Sequence, residues 1–169
     1  TCTTRPPRQG ERDGVDYHFL TPDNFSLRAQ QGEFLEHAMV YGNNYGILKS
    51  EILGKLREGK DVLLSVAVQG VATLCSRANE IPELQRALVT VFLTPASIQE
   101  LEGRLKKRGT DTQEVIARRL AVARHEIAQS GNFHYLLIST SIAEDLRRMQ
   151  AIVEAEKMKT GRVQLPALD

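Results

Sequence analysis

Three apolar runs separated by helical patterns restrict the fold of this chain more than any other feature. Val62 to Val68, Leu88 to Leu93 and Tyr135 to Ile138 are each short and almost free of polar residues. Runs without polar alternation read as strands buried on both faces, and strands that alternate with helices imply a parallel sheet covered by those helices. The helical patterns are present. Lys49 to Glu58 puts Ile52, Leu53 and Leu56 on one side and stops at Gly59. Val71 to Arg77 and Ala96 to Lys107 follow. Thr110-Asp111-Thr112-Gln113 has the spacing of a capping box and opens a long helix to about Gln129. Ile142 to Met158 carries Leu146, Met149, Ile152 and Val153 on an apolar stripe, and the tail from Thr160 to Asp169 is expected to be mobile.

The first fifty residues follow a different pattern. Asp16 to Leu20 reads as a short strand, and Thr21-Pro22-Asp23 supplies an N-cap, a proline at the first helical position and early negative charge. That helix runs to about Gln31 and ends at Gly32. Glu33 to Tyr41 is strand-like and closes at the turn Gly42-Asn43-Asn44, so a small, mostly antiparallel lobe is expected. With 169 residues, 41% of them hydrophobic and 25% charged, the chain can bury one core with such a lobe attached. The expected organisation is α/β: a lobe over about 1–48, a parallel core over about 49–103 and 130–158, a helical flap over about 104–129, and a tail over 159–169.

Inside the lobe, Arg5 and Arg8 lie three residues apart on a loop stiffened by Pro6 and Pro7. Proline fixes φ and biases the residue before it toward extended backbone, so both guanidinium groups sit on chain that has lost freedom in advance. Such cations suit a phosphate, although spacing alone equally allows two solvated arginines. A formal net charge of +1 provides no global field for nucleic acid, so anion binding has to come from local clusters. A second cluster is Arg104, Arg108 and Arg119, the first two at i and i+4 on one helix face. Cys2 and Cys75 show no ligand or disulfide spacing, and the four histidines share no metal-ligand spacing, so no metal ligand is expected within the chain. No apolar run approaches the roughly 18 to 20 residues that span a bilayer, and a reducing, cytoplasmic setting without membrane contact is expected.

The stretch from Thr3 to Phe19 resembles the guanosine-monophosphate-binding loop of guanylate kinases, T-T-R-x-P-R-x-G-E-x-x-G-x-D-Y-x-F. Gly32-Glu33-Phe34-Leu35-Glu36 and Gly42-Asn43-Asn44-Tyr45-Gly46 match further signatures of that family, and Arg108-Gly109-Thr110-Asp111 followed by Glu114 to Leu120 is similar to its lid. The resemblance extends from Thr1 to about Lys157. It implies a P-loop kinase fold that transfers a phosphoryl group from ATP to GMP with Mg2+, acting as a monomer or homodimer. It further implies that Glu36 reads guanine, that Thr1, Arg5, Arg8, Tyr17 and Tyr45 hold GMP, that Arg104, Arg108 and Arg119 are catalytic, and that Ser139 lies on the adenine side of ATP. Arginines of this kind serve to spread the charge of a metaphosphate-like transition state.

Several positions depart from the family's pattern. Gly-x-x-x-x-Gly-Lys-Ser/Thr does not occur; in the family that loop would lie ahead of Thr1, and without it the 169 residues are not expected to turn over. Ile47 stands where a guanine-binding hydroxyl is usual. Ala67 stands where the family pattern has aspartate, and Ser139-Thr140-Ser141 replaces Asn-Asp-Asp. Two readings follow: a guanylate kinase acting on GMP, or a non-catalytic relative that binds a nucleotide or a protein.

Overall fold

The N-terminal pair β1 (Cys2–Thr3) and β2 (His18–Phe19) runs parallel, with Cys2 opposite His18. In this computed structural model, residues 1–40, 42–109 and 111–163 are described, without the side chain of Arg108. Tyr41, Thr110 and residues 164–169 lie outside them, as therefore do the end of the first long strand, part of the expected capping box and most of the expected tail. The chain forms two units, Thr1–Leu88 and Val89–Asp169.

In the first unit, Thr21 caps α1 (Pro22–Gln30), its hydroxyl accepting from the Asn24 amide, and Gly32 leaves the helix at φ 67°. A left-handed backbone favours glycine there because it has no Cβ. β3 (Phe34–Val40) then pairs antiparallel with β4 (Asn43–Leu48), and β4 pairs antiparallel with β1, giving the order β2-β1-β4-β3. The mostly antiparallel lobe expected from the sequence is therefore present. The β3–β4 register slips at Leu35, between Phe34↔Leu48 and Glu36↔Ile47. The slip aims Leu35 at the core, where it is 1% exposed.

Two apolar clusters hold this unit. Cys2, Phe25, Phe34 and Leu48 form one, with the rings of Phe25 and Phe34 stacked 4.6 Å apart. Leu35, Ile47, Ile52, Leu74, Ala78 and Leu84 form the other, drawing on α2 (Lys49–Arg57), α3 (Val68–Ala78) and α4 (Pro82–Ala87).

One expectation from the sequence fails here. Val62 to Val68 is not a strand: residues 62–67 belong to no described strand, and Val68 already belongs to α3. Val62, Leu64 and Val66 pack on the second cluster, while Leu63 between them is 85% exposed. The run is thus buried on one side only, and its apolar character does not by itself supply the ladder that defines a strand.

In the second unit, β5 (Val91–Pro95) and β6 (Tyr135–Ser139) pair parallel, from Val91↔Tyr135 to Pro95↔Ser139. The parallel sheet read from the sequence has these two strands, and β5 starts at Val91 rather than Leu88. α5 (Ile98–Arg108) and α6 (Gln113–Ala128) pack through Leu105, Ile116 and Leu120. The cap of α6 is Thr112, whose hydroxyl accepts from the Val115 amide at 3.4 Å, rather than Thr110. A short 3-10 turn (Ser130–Asn132) leads into β6, and Ser141 caps α7 (Ile142–Lys157).

At the end of α7, Glu156 is 3% exposed. Its Oε1 accepts from the Tyr135 hydroxyl and from Lys159 Nζ, each at 2.6 Å, and its Oε2 lies 3.0 Å from Arg162 Nη1. Lys159, then the Tyr135 hydroxyl, keep this carboxylate below its usual pKa.

Candidate functional site

Arg5 is the best-anchored side chain of the arginine loop. Its Nη2 donates to both carboxylate oxygens of Glu11, at 2.9 and 3.0 Å, and its Nη1 donates to the Pro6 carbonyl at 2.7 Å. The guanidinium also lies over the rings of Tyr17 and Phe19, 5.6 and 5.9 Å from their centroids. Tyr17 meets Tyr45 edge-on at 6.2 Å. The bond to Glu11, with a smaller contribution from the Tyr45 hydroxyl, reinforces the charge on Arg5. Glu11 in turn accepts from the Arg8 amide at 2.6 Å, and Arg5, then this amide, hold its carboxyl below the ordinary range.

Arg5, Tyr17 and Tyr45 are thus brought together. Arg8 is tied to the same carboxylate by its backbone and keeps an exposed side chain. Thr1 joins β2 only through its carbonyl, which accepts from the His18 amide at 2.9 Å. Sequence reasoning assigns no role to Glu11, although it lies inside the arginine-loop motif. Its signal in the sequence is the first acid after the two arginines, six residues beyond Arg5.

Glu36 is a half-buried carboxylate on β3 with no hydrogen-bond partner among the described residues. Burial raises its pKa, and the neighbouring His37 opposes the rise. It lies against the first turn of α3: a Cβ on Gly70 would fall 3.2 Å from Glu36 Cδ and 3.2 Å from Oε1. Ile47, its register partner across β3–β4, is buried in the core and offers no polar atom. Ala67 is the N-cap residue of α3 and provides no side-chain acceptor for the helix's first amides. A carboxylate held in this way fits a ligand edge that presents two N–H donors.

In the second unit, Arg104 on α5 donates through Nη2 to Glu100 at 2.5 Å and, more weakly, to Ser139 Oγ at 3.5 Å. Arg119 on α6 lies 3.1 Å from Asp111 Oδ2, and Asp111 is 11% exposed. Arg104 on α5 and Arg119 on α6 are therefore each held by a separate carboxylate, Glu100 on α5 and Asp111 in the segment between the two helices. The side chain of Arg108, the third member of the expected cluster, lies outside the described residues. Ser139 is buried at the end of β6 and donates to Asp145 Oδ2 at 2.6 Å.

Among the described residues, no group of three or more His, Cys, Asp or Glu side chains could hold a metal ion. No described helix is long and apolar enough to cross a membrane.

Comparison with known proteins identifies the family. The family model described as Guanylate kinase matches residues 1–156. The chain is 41% identical over 160 residues to a guanylate kinase of Alkalilimnicola ehrlichii, covering 95% of this chain and 75% of that protein. It is 43% identical over 162 residues to one of Sphingopyxis alaskensis, covering 96% and 71%. The crystal structure of guanylate kinase from Anaplasma phagocytophilum superposes with a TM-score of 0.73 at 30% identity, over 95% of this chain and 76% of the other.

Proposed function

The chain belongs to the guanylate kinase family, and from that premise we propose how its residues serve the family's reaction, transfer of a phosphoryl group from ATP to GMP with formation of ADP and GDP. The observation that carries the proposal is Glu36. A half-buried carboxylate without a partner is costly unless a ligand completes it, and guanine offers N1–H and the 2-amino group side by side. Arg5, Arg8, Tyr17 and Tyr45 form the phosphate end of the same acceptor site, and Thr1 also binds GMP. Glu11 fixes Arg5 before the ligand arrives, so little side-chain freedom remains to be lost on binding.

Residues 104–129 form the lid. Arg104, Arg108 and Arg119 supply cationic donors to the transferring group, whose charge spreads over its equatorial oxygens. Ser139 lies on the adenine side of ATP. Mg2+ would be held by the phosphates of ATP, where it would supply positive charge against the transferring group. The protein works in the cytoplasm as a monomer or homodimer, on nucleotides rather than on nucleic acid or a membrane.

Calorimetric titration with GMP, IMP and AMP tests the acceptor assignment. IMP lacks the 2-amino group and keeps N1–H. The expected order is GMP above IMP by about tenfold or more, the worth of one charge-assisted hydrogen bond, with AMP weakest. Equal affinity for GMP and AMP, or a GMP affinity unchanged in Glu36→Gln, refutes the assignment of Glu36.

A further inference from the structure

We propose that Asp145 is a positioning residue for Arg104, acting through the hydroxyl of Ser139; this rests on the placement of Arg104 at the transferring phosphate. Among the described residues Arg104 has two hydrogen-bond partners. Glu100 sits one turn back on the same helix, so it fixes the guanidinium relative to α5 and moves with it. Ser139, at the C-terminal end of β6, is the contact that relates the guanidinium to the sheet.

At 3.5 Å the Arg104–Ser139 contact is weak, and it depends on which way the hydroxyl points. A serine hydroxyl has one proton to give and lone pairs to offer. Asp145 Oδ2 takes that proton at 2.6 Å, which leaves the oxygen of Ser139 free to accept from Arg104. Without Asp145 the hydroxyl can rotate and aim its proton at the guanidinium, which has only donors.

Asp145 is itself fixed. Its Oδ1 accepts from the Thr140 amide at 3.0 Å, and it stands in the first turn of α7, where a negative charge is favoured by the helix dipole. The bond from Ser139, then that from Thr140, keep the carboxyl ionised below its usual range, with Arg148 and Arg104 adding smaller contributions of the same sign. Donor and acceptor thus run in one direction, from Arg104 to Ser139 to Asp145.

The test uses the full chain and nitrogen-detected NMR of its arginine side chains, with Arg104 assigned from an Arg104→Lys variant. Asp145→Ala and Ser139→Ala are each expected to speed rotation and proton exchange of the Arg104 guanidinium by about three- to tenfold, the worth of one hydrogen bond weakened by its 3.5 Å length. The double variant is expected to add nothing, because the two act in series. Asp145→Asn, which keeps an acceptor for Ser139, is expected to restore part of the parent signal. A merely structural role at the β6–α7 corner would lower Tm and leave the Arg104 signal alone, and that result overturns the proposal, as does additivity in the double variant. ATP titration separates the premise from the proposal. An Arg104→Lys variant that binds ATP as the parent does counts against Arg104 at the phosphate, while the NMR result still decides whether Asp145 positions it.

Discussion

Gly70→Ala separates stability from ligand selection within one residue. Gly70 is the third residue of α3, where alanine is the better helix former by about 0.5 to 1 kcal/mol. The added Cβ would meet Glu36 Cδ and Oε1 at 3.2 Å and Cγ at 3.4 Å, and it meets no backbone atom within 4 Å among its nearest neighbours. These contacts are tight but not impossible. The end of a flexible glutamate side chain gives way by a few tenths of an ångström, and the helix keeps its place.

The carboxylate is then displaced from the position in which, on the proposed function, it receives guanine. Disturbing charge-assisted hydrogen bonds worth about 1.5 to 3 kcal/mol weakens GMP binding by about one to two decades. Meanwhile Tm holds or rises by a few degrees, at about 2 to 4 °C per kcal/mol for a chain of this size. Calorimetric titration with GMP alongside thermal melts reads both quantities. If GMP affinity is unchanged, Glu36 is not the guanine acceptor. If Tm and affinity fall together, Gly70 is required for packing and the geometric argument is wrong.

Three further outcomes are expected. Ala67→Asp gives α3 the side-chain cap it lacks and should raise stability by about 0.5 to 2 kcal/mol, read as an increase in Tm, while tightening guanine binding if this position serves the ligand. Gly46→Ala would bring a Cβ to 2.7 Å from Phe34 Cδ1 and 3.1 Å from Phe25 Cζ; overpacking this stacked pair should cost about 1 to 3 kcal/mol, and an unchanged denaturation midpoint would contradict it. Arg147 and then Arg148 lower the Glu144 carboxyl from 4.5 to about 2, so its stabilising effect is complete above pH 4.5 and is lost as the pH falls toward 2. The Tm difference between the parent and Glu144→Gln should therefore be constant near neutrality and vanish near pH 2; a difference that persists there would remove Glu144 from the acid response.

Local signals carried most of the helices. Thr21 before Pro22 and Gly32 after the helix bracket α1 in a run of twelve residues, and the structure keeps both. The helical span of α7 was equally legible, although Leu146 and Val153 of its expected stripe stay exposed. What failed depended on partners distant in sequence. Val62 to Val68 has the composition of a two-sided strand, but composition does not say whether a neighbour pairs with it. The short α4, starting at Pro82, has too few turns for its period to show. For the proposed site, Arg5, Glu36 and Tyr45 were legible as candidates from their motifs. Asp145 was not, because its role exists only when the first turn of α7 folds back on the last residue of β6.

The clamp on Glu156 sets where this protein tolerates shortening. The family's match stops at Glu156, which invites a cut just beyond it. Lys159 and Arg162 lie past that point, and both reach back to a carboxylate shut away from solvent. Cutting between Lys157 and Lys159 would strip two cations from a buried anion and leave the Tyr135 hydroxyl as its one remaining companion among the described residues. Anyone trimming, tagging or fusing this chain does better to work beyond Arg162 than at the edge of the family match.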